Sequence, residues 1–414
     1  MAIAAVIVAI VVAAVAPRAT PFMLLLLGSS VIGLSLTTAR PVSVRPLPHV
    51  VLALAALGAY LALNALWSVS PLTALIRAVL FGLIVVMGLM VFRCLPSLTH
   101  ENAERLQRAI LCGIALSALY LVFEISFGQP IRRFVISFVP TLRPSQKHME
   151  MVDGWVSRIN LYTLNRNVAL LNIMLWPALL LLRARMPQTT AWLYGGALVL
   201  LAALAACTSE HETSMIALVA GVLVLAGMAV AAPITRALVI AAWLAATLLV
   251  VPAADIAHGI GLHRASWLPQ TARNRIVLWN VTADRTQESP ILGIGINSTK
   301  PLDEEAAPLA RREPGDDYAQ RTGRHAHNIF MQTWFELGAV GALLLLVSGL
   351  AALRAMMRLP AADQPYAFAS FASTMVLASF TWGMWQPWFM CAFGLWAVLL
   401  LIALDAAHRH RAAG

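Results

Sequence analysis

Long apolar stretches separated by polar segments dominate the 414-residue chain. Each stretch approaches the roughly 20 residues that a helix needs to cross the hydrocarbon core of a membrane. The strands of a membrane β-barrel would instead alternate apolar and polar residues over about ten positions. The pattern therefore predicts an all-α integral membrane protein with about 12 transmembrane helices. The predicted spans are 2–16, 22–37, 50–68, 72–92, 109–128, 168–182, 191–208, 215–233, 237–254, 331–353, 368–386 and 390–405.

The composition narrows the class of protein further. Hydrophobic residues make up 60% of the chain and charged residues 12%, and the mean hydropathy is +0.78. Soluble domains carry about twice that share of charged residues, so the soluble enzyme folds are excluded. No Lys or Arg precedes the first apolar stretch, and a second stretch follows at once. We therefore expect a retained span there and not a signal peptide.

The distribution of basic residues predicts the orientation of the helices. Lys and Arg beside a span resist translocation and accumulate on the cytoplasmic side. With both termini in the cytoplasm, twelve arginines fall in inside segments, and Arg18 is the one basic residue in the short outside turns. The twelve are Arg40, Arg45, Arg93, Arg105, Arg108, Arg183, Arg185, Arg236, Arg354, Arg358, Arg409 and Arg411.

This topology divides the chain into three parts. Residues 1–254 hold helices 1–9 and include a basic outer segment at 129–167. Residues 255–330 form a large outer loop between helices 9 and 10, and residues 331–414 hold helices 10–12 and a cytoplasmic tail. We expect the loop to carry the reactive residues, because the polar clusters described below lie in it.

The basic outer segment carries six positive charges against Glu150 and Asp153. Two explanations stay open: attraction to anionic lipid headgroups, or a surface for phosphate-bearing ligands. Arg77 is a separate case, because it is predicted inside the fourth span, where we expect it to face a polar cavity. The six basic residues of the outer segment are Arg132, Arg133, Arg143, Lys147, Arg158 and Arg166.

A polar cluster lies where the large loop enters the tenth predicted span. It reads Arg324-His325-Ala326-His327-Asn328. Polar groups at a span entry are costly and are functional by default, although Asn328 could simply cap the helix. Glu336 would lie about 15 Å along such a helix. We therefore expect Glu336 to belong to a packing or polar network and not to contact His327. Gly338 and Gly341 are expected to allow close helix approach.

A second cluster lies earlier in the large loop. Helical spacing places Arg275 and Trp279 on one face at i and i+4, and Pro290 ends the element. These two side chains could stack as a cation–π pair. Alternatively, Trp279 could orient the guanidinium toward a ligand.

Taken together, these residues resemble the Wzy/O-antigen ligase superfamily of bacterial inner-membrane glycosyltransferases, which have a GT-C-like architecture. The matching features are Arg275 with Trp279, the turn at 290–295, and His327-Asn328 followed by Gln332, Glu336, Gly338 and Gly341. Asn165-Arg166-Asn167 looks more weakly like an Asn-rich entry of the family, and Thr208-Ser209 looks like its Thr-x-Ser-Arg stretch. The sequence departs from the pattern there, because Glu210 and His211 stand where the family often has Arg.

The resemblance implies transfer of preassembled O-antigen from undecaprenyl diphosphate to lipid A-core at the periplasmic face of a Gram-negative inner membrane. It implies an inverting reaction in which His327 acts as general base and Arg275 stabilises the diphosphate. Substrate-binding roles are expected for a further set of residues. No cofactor, metal or nucleic-acid partner is implied. The residues expected to bind substrate are Arg77, Arg158, Asn165, Arg166, Trp279, His325 and Asn328.

Several alternatives stay open at this point. The chain could be an O-antigen polymerase of the same superfamily, or an exporter or flippase of lipid-linked glycans. Arg166 could only snorkel to lipid headgroups. His325 and His327 could join His258 or His263 at a metal site, although His-x-His is a weak signal for one. The four cysteines lie inside or at the edges of predicted spans, so no Cys-based metal site is expected.

Overall fold

The computed structural model describes residues 2–38, 46–139, 144, 146–209, 211–312, 316, 318–380 and 382–413. The fold of these residues is all-α, as predicted. The helices are α1 (Ala2–Val15), α2 (Thr20–Leu36), α3 (His49–Asn64), α4 (Pro71–Cys94), α5 (His100–Ser126), α6 (Pro130–Phe138), α7 (Asn165–Arg185), α8 (Gln188–Thr208), α9 (Glu212–Leu248), α10 (Val250–Gly259), α11 (Gln270–Thr286), α12 (Thr299–Ala306), α13 (Ile329–Met357), α14 (Gln364–Phe380) and α15 (Pro387–Ala413). The strands β1 (Met149–Val152) and β2 (Trp155–Ile159) form an antiparallel pair. Arg40, Arg45, Arg143 and Glu210, named above, lie outside the described residues.

The predicted spans correspond to helices of a multi-pass membrane protein. Among the described residues, nine helices are long and apolar enough to cross a membrane. α1 and α14 are shorter apolar helices, and α9 contains both the eighth and the ninth predicted spans. The ninth span ends at Leu248 and not at residue 254, because the short helix α10 begins at Val250. α6, α10, α11 and α12 belong to the two long connecting segments.

α9 is a helical hairpin, although its helical pattern is continuous. At Ala231 the backbone leaves the helical region, with φ −143° and ψ 61°, and Pro233 follows. A Cβ atom on Gly227 would lie 2.7 Å from Oγ1 of Thr235. Residues eight apart in a straight helix are about 12 Å apart along the axis. The chain therefore reverses at Ala231, which separates the two predicted spans.

α7 lies at the centre of the bundle. In its most apolar window, 94% of the residues are buried, and the large side chain of Trp176 is fully buried. Two asparagines tie α7 to its neighbours. Asn167 donates to the backbone at the end of α1, and Asn172 donates to the Ser214 carbonyl at 2.9 Å. The end of the bundle where α7 and α13 begin also carries α10–α12 and residues 318–328, and we call it the cap end.

α13 is interrupted at the cap end. Gly338 has φ 63° and ψ −165°, so the helix does not continue through it. The span predicted at 331–353 therefore lies in a membrane helix that is broken at Gly338. The backbone groups freed by the break bond to the 290–295 segment, which replaces the missing helical hydrogen bonds. These bonds are Ile294 N to Phe335 O (3.2 Å), Gly295 N to Glu336 O (3.0 Å), Ala339 N to Pro290 O (2.8 Å) and Val340 N to Ile291 O (3.2 Å).

The C-terminal end of α3 holds the same junction from the other side. The Tyr60 hydroxyl contacts the carbonyl oxygens of Leu292 at 3.0 Å and Leu337 at 2.9 Å. The Asn64 amide donates to the Leu292 carbonyl at 2.9 Å, and the Trp67 indole N–H donates to the Gly293 carbonyl at 3.2 Å. The end of α3, the 290–296 segment and the broken helix therefore form one hydrogen-bonded unit.

Glycine is required at the break in α13. A Cβ atom on Gly338 would lie 2.4 Å from the carbonyl carbon and oxygen of Ile291. The close approach predicted for Gly338 is thus made by a loop backbone and not by a second helix. Gly341 lies one turn further along, against the side chain of Leu337 in its own helix.

We expect Gly338→Ala to lower the melting temperature of the detergent-solubilised protein strongly. The backbone conformation of Gly338 is essentially restricted to glycine and costs another residue about 1–3 kcal/mol, and the clash with Ile291 adds to that cost. Gly82→Ala is the matched control, because a Cβ atom there meets nothing within 4 Å and the residue lies in a regular helix. Equal melting temperatures for the two variants would contradict this interpretation.

Candidate functional site

The segment 325–327, with a histidine at each end, is held by two anchors at the cap end. The indole N–H of Trp279 donates to the carbonyl of Ala326 at 2.7 Å. The Asn328 side chain caps α13 by accepting from the N–H groups of Phe330 at 2.9 Å and Met331 at 3.2 Å. The anchors fix the loop on both sides of His327, which has a left-handed backbone with φ 54°.

The two histidine rings of this segment lie together. The ring centroids of His325 and His327 are 4.1 Å apart. His325 also lies against Gly383, where a Cβ atom would come within 2.9 Å of the His325 Cβ. Gly383, in the connection between α14 and α15, therefore leaves room for the His325 ring.

Arginines from separate parts of the chain lie within electrostatic range of His325. Burial, followed by the charges of His327, Arg166, Arg275 and Arg324, lowers the pKa of His325 to about 3. Arg166 begins α7 and Arg275 belongs to α11, so the fold brings together residues more than a hundred positions apart. His325 is neutral at physiological pH because each of these neighbours opposes its protonation.

His211 belongs to the same cluster, although it was not selected as a site residue from the sequence. It is 8% exposed and lies at the start of α9, where Nδ1 shares a 2.7 Å hydrogen bond with the Ser214 hydroxyl. Its ring is 5.6 Å from the Trp382 ring. Burial and the charge of Arg275 lower the pKa of His211 to about 4. The signal in the sequence was the position of His211, where the superfamily named above often has Arg.

Among the described residues, Glu212 is the acidic side chain that acts on Arg275. Burial lowers the pKa of the Arg275 guanidinium, and the carboxylate of Glu212 partly opposes that effect. Of the two alternatives for Arg275 and Trp279, the cation–π pair is not among the cation–π contacts of the described residues. Arg166 in this cluster does make such a contact, since its guanidinium carbon lies 5.4 Å from the centroid of the Trp388 ring. The cluster is therefore strongly basic and lined with aromatic rings.

Acidification is expected to destabilise the protein through His211 and His325. Both histidines have folded-state pKa values below 6.5, so the unfolded chain binds their protons at higher pH than the folded chain. The stability that depends on the neutral form of these two histidines is fully present above pH 6.5. It is lost as the pH falls toward about 4. Melting temperatures measured from pH 7.5 to pH 5 should fall less steeply for the His211→Asn/His325→Asn variant than for wild type. Parallel curves would mean that the two histidines protonate freely in the fold.

Glu336 is the centre of a separate polar network below the histidine segment. Its side chain is fully buried. The carboxylate accepts from the backbone N–H groups of Asn297 at 2.9 Å and Thr299 at 3.0 Å, and from the Gln332 amide at 3.3 Å. The Thr299 hydroxyl and the Trp385 indole also donate to it. These donors lock the 297–299 segment to α13, about two turns beyond the anchored histidine loop.

The structure does not bring every candidate residue to this cluster. Arg158 is exposed on β2 and pairs with Glu150 at 3.5 Å. Arg77 lies in α4, where its buried Nε has no hydrogen-bond partner. Asn165 is adjacent to Arg166 at the start of α7, and its side-chain oxygen is buried without a hydrogen-bond partner. Of these three residues, Asn165 is the one that adjoins a residue of the cluster in sequence, namely Arg166.

The basic segment at 129–167 is partly bonded within itself. It contains α6 and the β1–β2 hairpin, which the apolar pattern did not predict. Arg132 donates to the Gln129 side chain at 2.8 Å and to the Thr163 hydroxyl at 2.6 Å, and Arg133 donates to the Ser157 carbonyl at 2.5 Å. These two arginines therefore hold the segment in shape.

Potential metal ligands lie elsewhere in the cap. His258 and His263, which could have joined His325 and His327 at a metal site, group with Asp316 instead. The hypothesis of a shared site with the histidine segment is therefore wrong for the described residues.

Comparison with known proteins agrees with this arrangement. A family model described as O-antigen ligase matches residues 197–346, a range that includes His211, Arg275, the histidine segment and Glu336. A Rickettsia felis protein provisionally named a polysaccharide ligase is 22% identical over 343 residues, which cover 82% of this chain and 76% of that protein. A similarly named Rickettsia conorii protein is 24% identical over 309 residues, covering 74% and 68%. These matches and the all-α membrane fold support an O-antigen ligase-like family for this chain.

Proposed function

We propose that the protein transfers preassembled O-antigen from undecaprenyl diphosphate to lipid A-core oligosaccharide. The observation that carries this proposal is the convergence of Arg166, Arg275 and the two histidines of the 325–327 segment at the cap end. A reaction that releases a lipid diphosphate and activates a sugar hydroxyl needs both kinds of group in one place.

The arginines suit a diphosphate leaving group. A guanidinium presents paired N–H donors that match two phosphate oxygens at once, and partial burial strengthens the attraction. Arg166 is held against Trp388 before a ligand arrives, and Arg275 lies within electrostatic range of the Glu212 carboxylate. Among the described residues, the partly buried Arg166 and Arg275 have Glu212 as a nearby carboxylate, so the positive charge there favours binding of an anion.

His327 suits the role of general base. An acceptor sugar hydroxyl is a poor nucleophile until a base takes its proton. In the proposed step, the His327 ring accepts that proton while the hydroxyl oxygen bonds to the anomeric carbon of the donor. The bond from that carbon to the diphosphate oxygen breaks, and the negative charge on the departing diphosphate develops beside Arg275. Attack opposite the leaving group inverts the anomeric configuration.

The proposal includes the orientation of the protein in the membrane, as predicted from the sequence. The cap end faces the periplasm of a Gram-negative inner membrane, and both termini lie in the cytoplasm. The excess of arginine in the predicted inside segments supports this orientation. The apolar helices α7 and α13, which begin at the cluster, support donor and acceptor substrates that are both anchored in the membrane.

The lipopolysaccharide profile of a deletion strain tests the proposal. Core without glycan, together with long chains retained on undecaprenyl diphosphate, is the expected result. Wild-type protein should restore the glycan, and a His327→Asn variant expressed at the same level should not. Core bearing a single repeat would overturn the proposal in favour of a polymerase. Lipid-linked glycan trapped on the cytoplasmic side would overturn it in favour of an exporter.

A further inference from the structure

Three potential metal ligands meet in the cap, outside the basic cluster. His258 ends α10, His263 lies in the following turn, and Asp316 comes from the segment that leads to the histidine loop. One ligand atom from each residue lies within 4.8 Å of the other two. The His263 Nε2 and Asp316 Oδ1 atoms are 3.2 Å apart, and the imidazoles of His258 and His263 stack with centroids 4.0 Å apart.

Two of these ligands are buried, and hydrogen bonds orient one of them. His263 is 4% exposed and Asp316 is 5% exposed. The Gln320 amide donates to the Asp316 Oδ2 atom at 3.1 Å, which leaves Oδ1 directed at the histidines. The Nε2 atom of His258 is buried without a hydrogen-bond partner. A buried polar atom without a partner is costly, and a metal ion at this position would satisfy it.

Some charges near the ligands favour binding of a cation and others oppose it. Asp255, one turn before His258, lies within electrostatic range of that histidine and of Asp284 and adds negative charge. Arg264 opposes a cation, because its Nε lies 3.3 Å from the Asp316 Oδ1 atom. The Arg264 side chain is half exposed, so it can rotate into solvent when an ion takes its place.

We propose that His258, His263 and Asp316 bind one divalent transition-metal ion of the Zn²⁺ type. Two imidazole nitrogens and one carboxylate oxygen are a common ligand set for such ions, with a water molecule in the fourth position. Gln320 would orient the carboxylate in the way that outer hydrogen bonds usually fix metal ligands. The proposal is independent of the function proposed above, since none of these residues belongs to the basic cluster.

The ion would have a structural role. Asp316 precedes Tyr318, whose side chain packs with Leu278 and Ala326 beneath the histidine segment. A metal bond to Asp316 would therefore fix the chain that leads to His325 against the corner between α10 and α11. This is a role in positioning and stability, and it leaves the proton transfer proposed for His327 unchanged.

Zinc binding to the full-length protein tests the proposal. The chain is purified in detergent without a polyhistidine tag, freed of metal by chelation, and titrated with Zn²⁺ by calorimetry alongside elemental analysis. About one bound zinc per chain and a higher melting temperature are expected. Both His258→Ala and Asp316→Asn should abolish stoichiometric binding. Gln320→Ala should weaken it about 10–100-fold. The matched control is His49→Ala, an exposed histidine at the start of α3.

The outcomes separate this site from the transfer reaction. Wild-type protein that binds no zinc, or an Asp316→Asn variant that binds it as tightly as wild type, would overturn the proposal. If Asp316→Asn does not fold, the wild-type titration and the Gln320→Ala variant still decide it. The binding measurement needs no glycan substrate, so its result does not depend on whether the proposed function is correct.

Discussion

Replacing His327 by asparagine is expected to reduce glycan transfer by about 10²–10⁴-fold, the usual contribution of a general base. Asparagine is the informative substitution because His327 has φ 54°, and Asn tolerates a left-handed backbone better than most residues. The anchors at Ala326 and Asn328 do not involve the His327 side chain. The melting temperature should therefore stay close to that of wild type while the rate falls.

His325→Asn is the comparison variant for this prediction. The two rings are neighbours, but the pKa of His325 is lowered to about 3, which makes it a poor acceptor of a proton at neutral pH. Transfer of undecaprenyl-linked glycan to lipid A-core by the purified variants would be compared at equal protein concentration. If His327→Asn transfers at the wild-type rate, His327 is not the base. If both variants lose the same activity, the pair acts as one unit.

The membrane helices could be predicted from the sequence because hydrocarbon imposes a simple length and composition on each span. The pattern even separated the two halves of α9, whose reversal at Ala231 is followed by Pro233. Arg275 and His327 could also be selected, since polar clusters in an apolar chain are conspicuous. In each case the information was local to a short piece of sequence.

The features that could not be predicted depend on contacts between distant segments. The break of α13 at Gly338 is stabilised by hydrogen bonds from the 290–295 segment, and no local pattern shows that these two pieces meet. The same is true of Trp279, whose indole bonds to Ala326 and not to Arg275 in the structure. His211 was overlooked because a single histidine after an apolar helix is ordinary until its neighbours are known.

Arg275→Lys is expected to be nearly as damaging to transfer as Arg275→Ala. A lysine keeps the positive charge but loses the planar fork of donors that can hold two diphosphate oxygens at once. Arg275 lies within electrostatic range of His211 and His325 and is partly buried, so its donors act where water screens them poorly. The loss of one transition-state contact of this kind lowers the rate by about 10²–10³-fold.

The alternative is that only the charge of Arg275 matters. Coulomb attraction depends weakly on which cation supplies it, so lysine would then restore most of the activity that alanine removes. Arg285→Lys is the matched control, because Arg285 lies in the last turn of the same helix, ten residues from Arg275. Initial rates for the lysine and alanine variants, measured at equal expression and with unchanged melting temperatures, distinguish the two cases. A lysine variant within a few-fold of wild type would reduce Arg275 to a source of charge, whereas a rate close to that of alanine would assign it the leaving diphosphate.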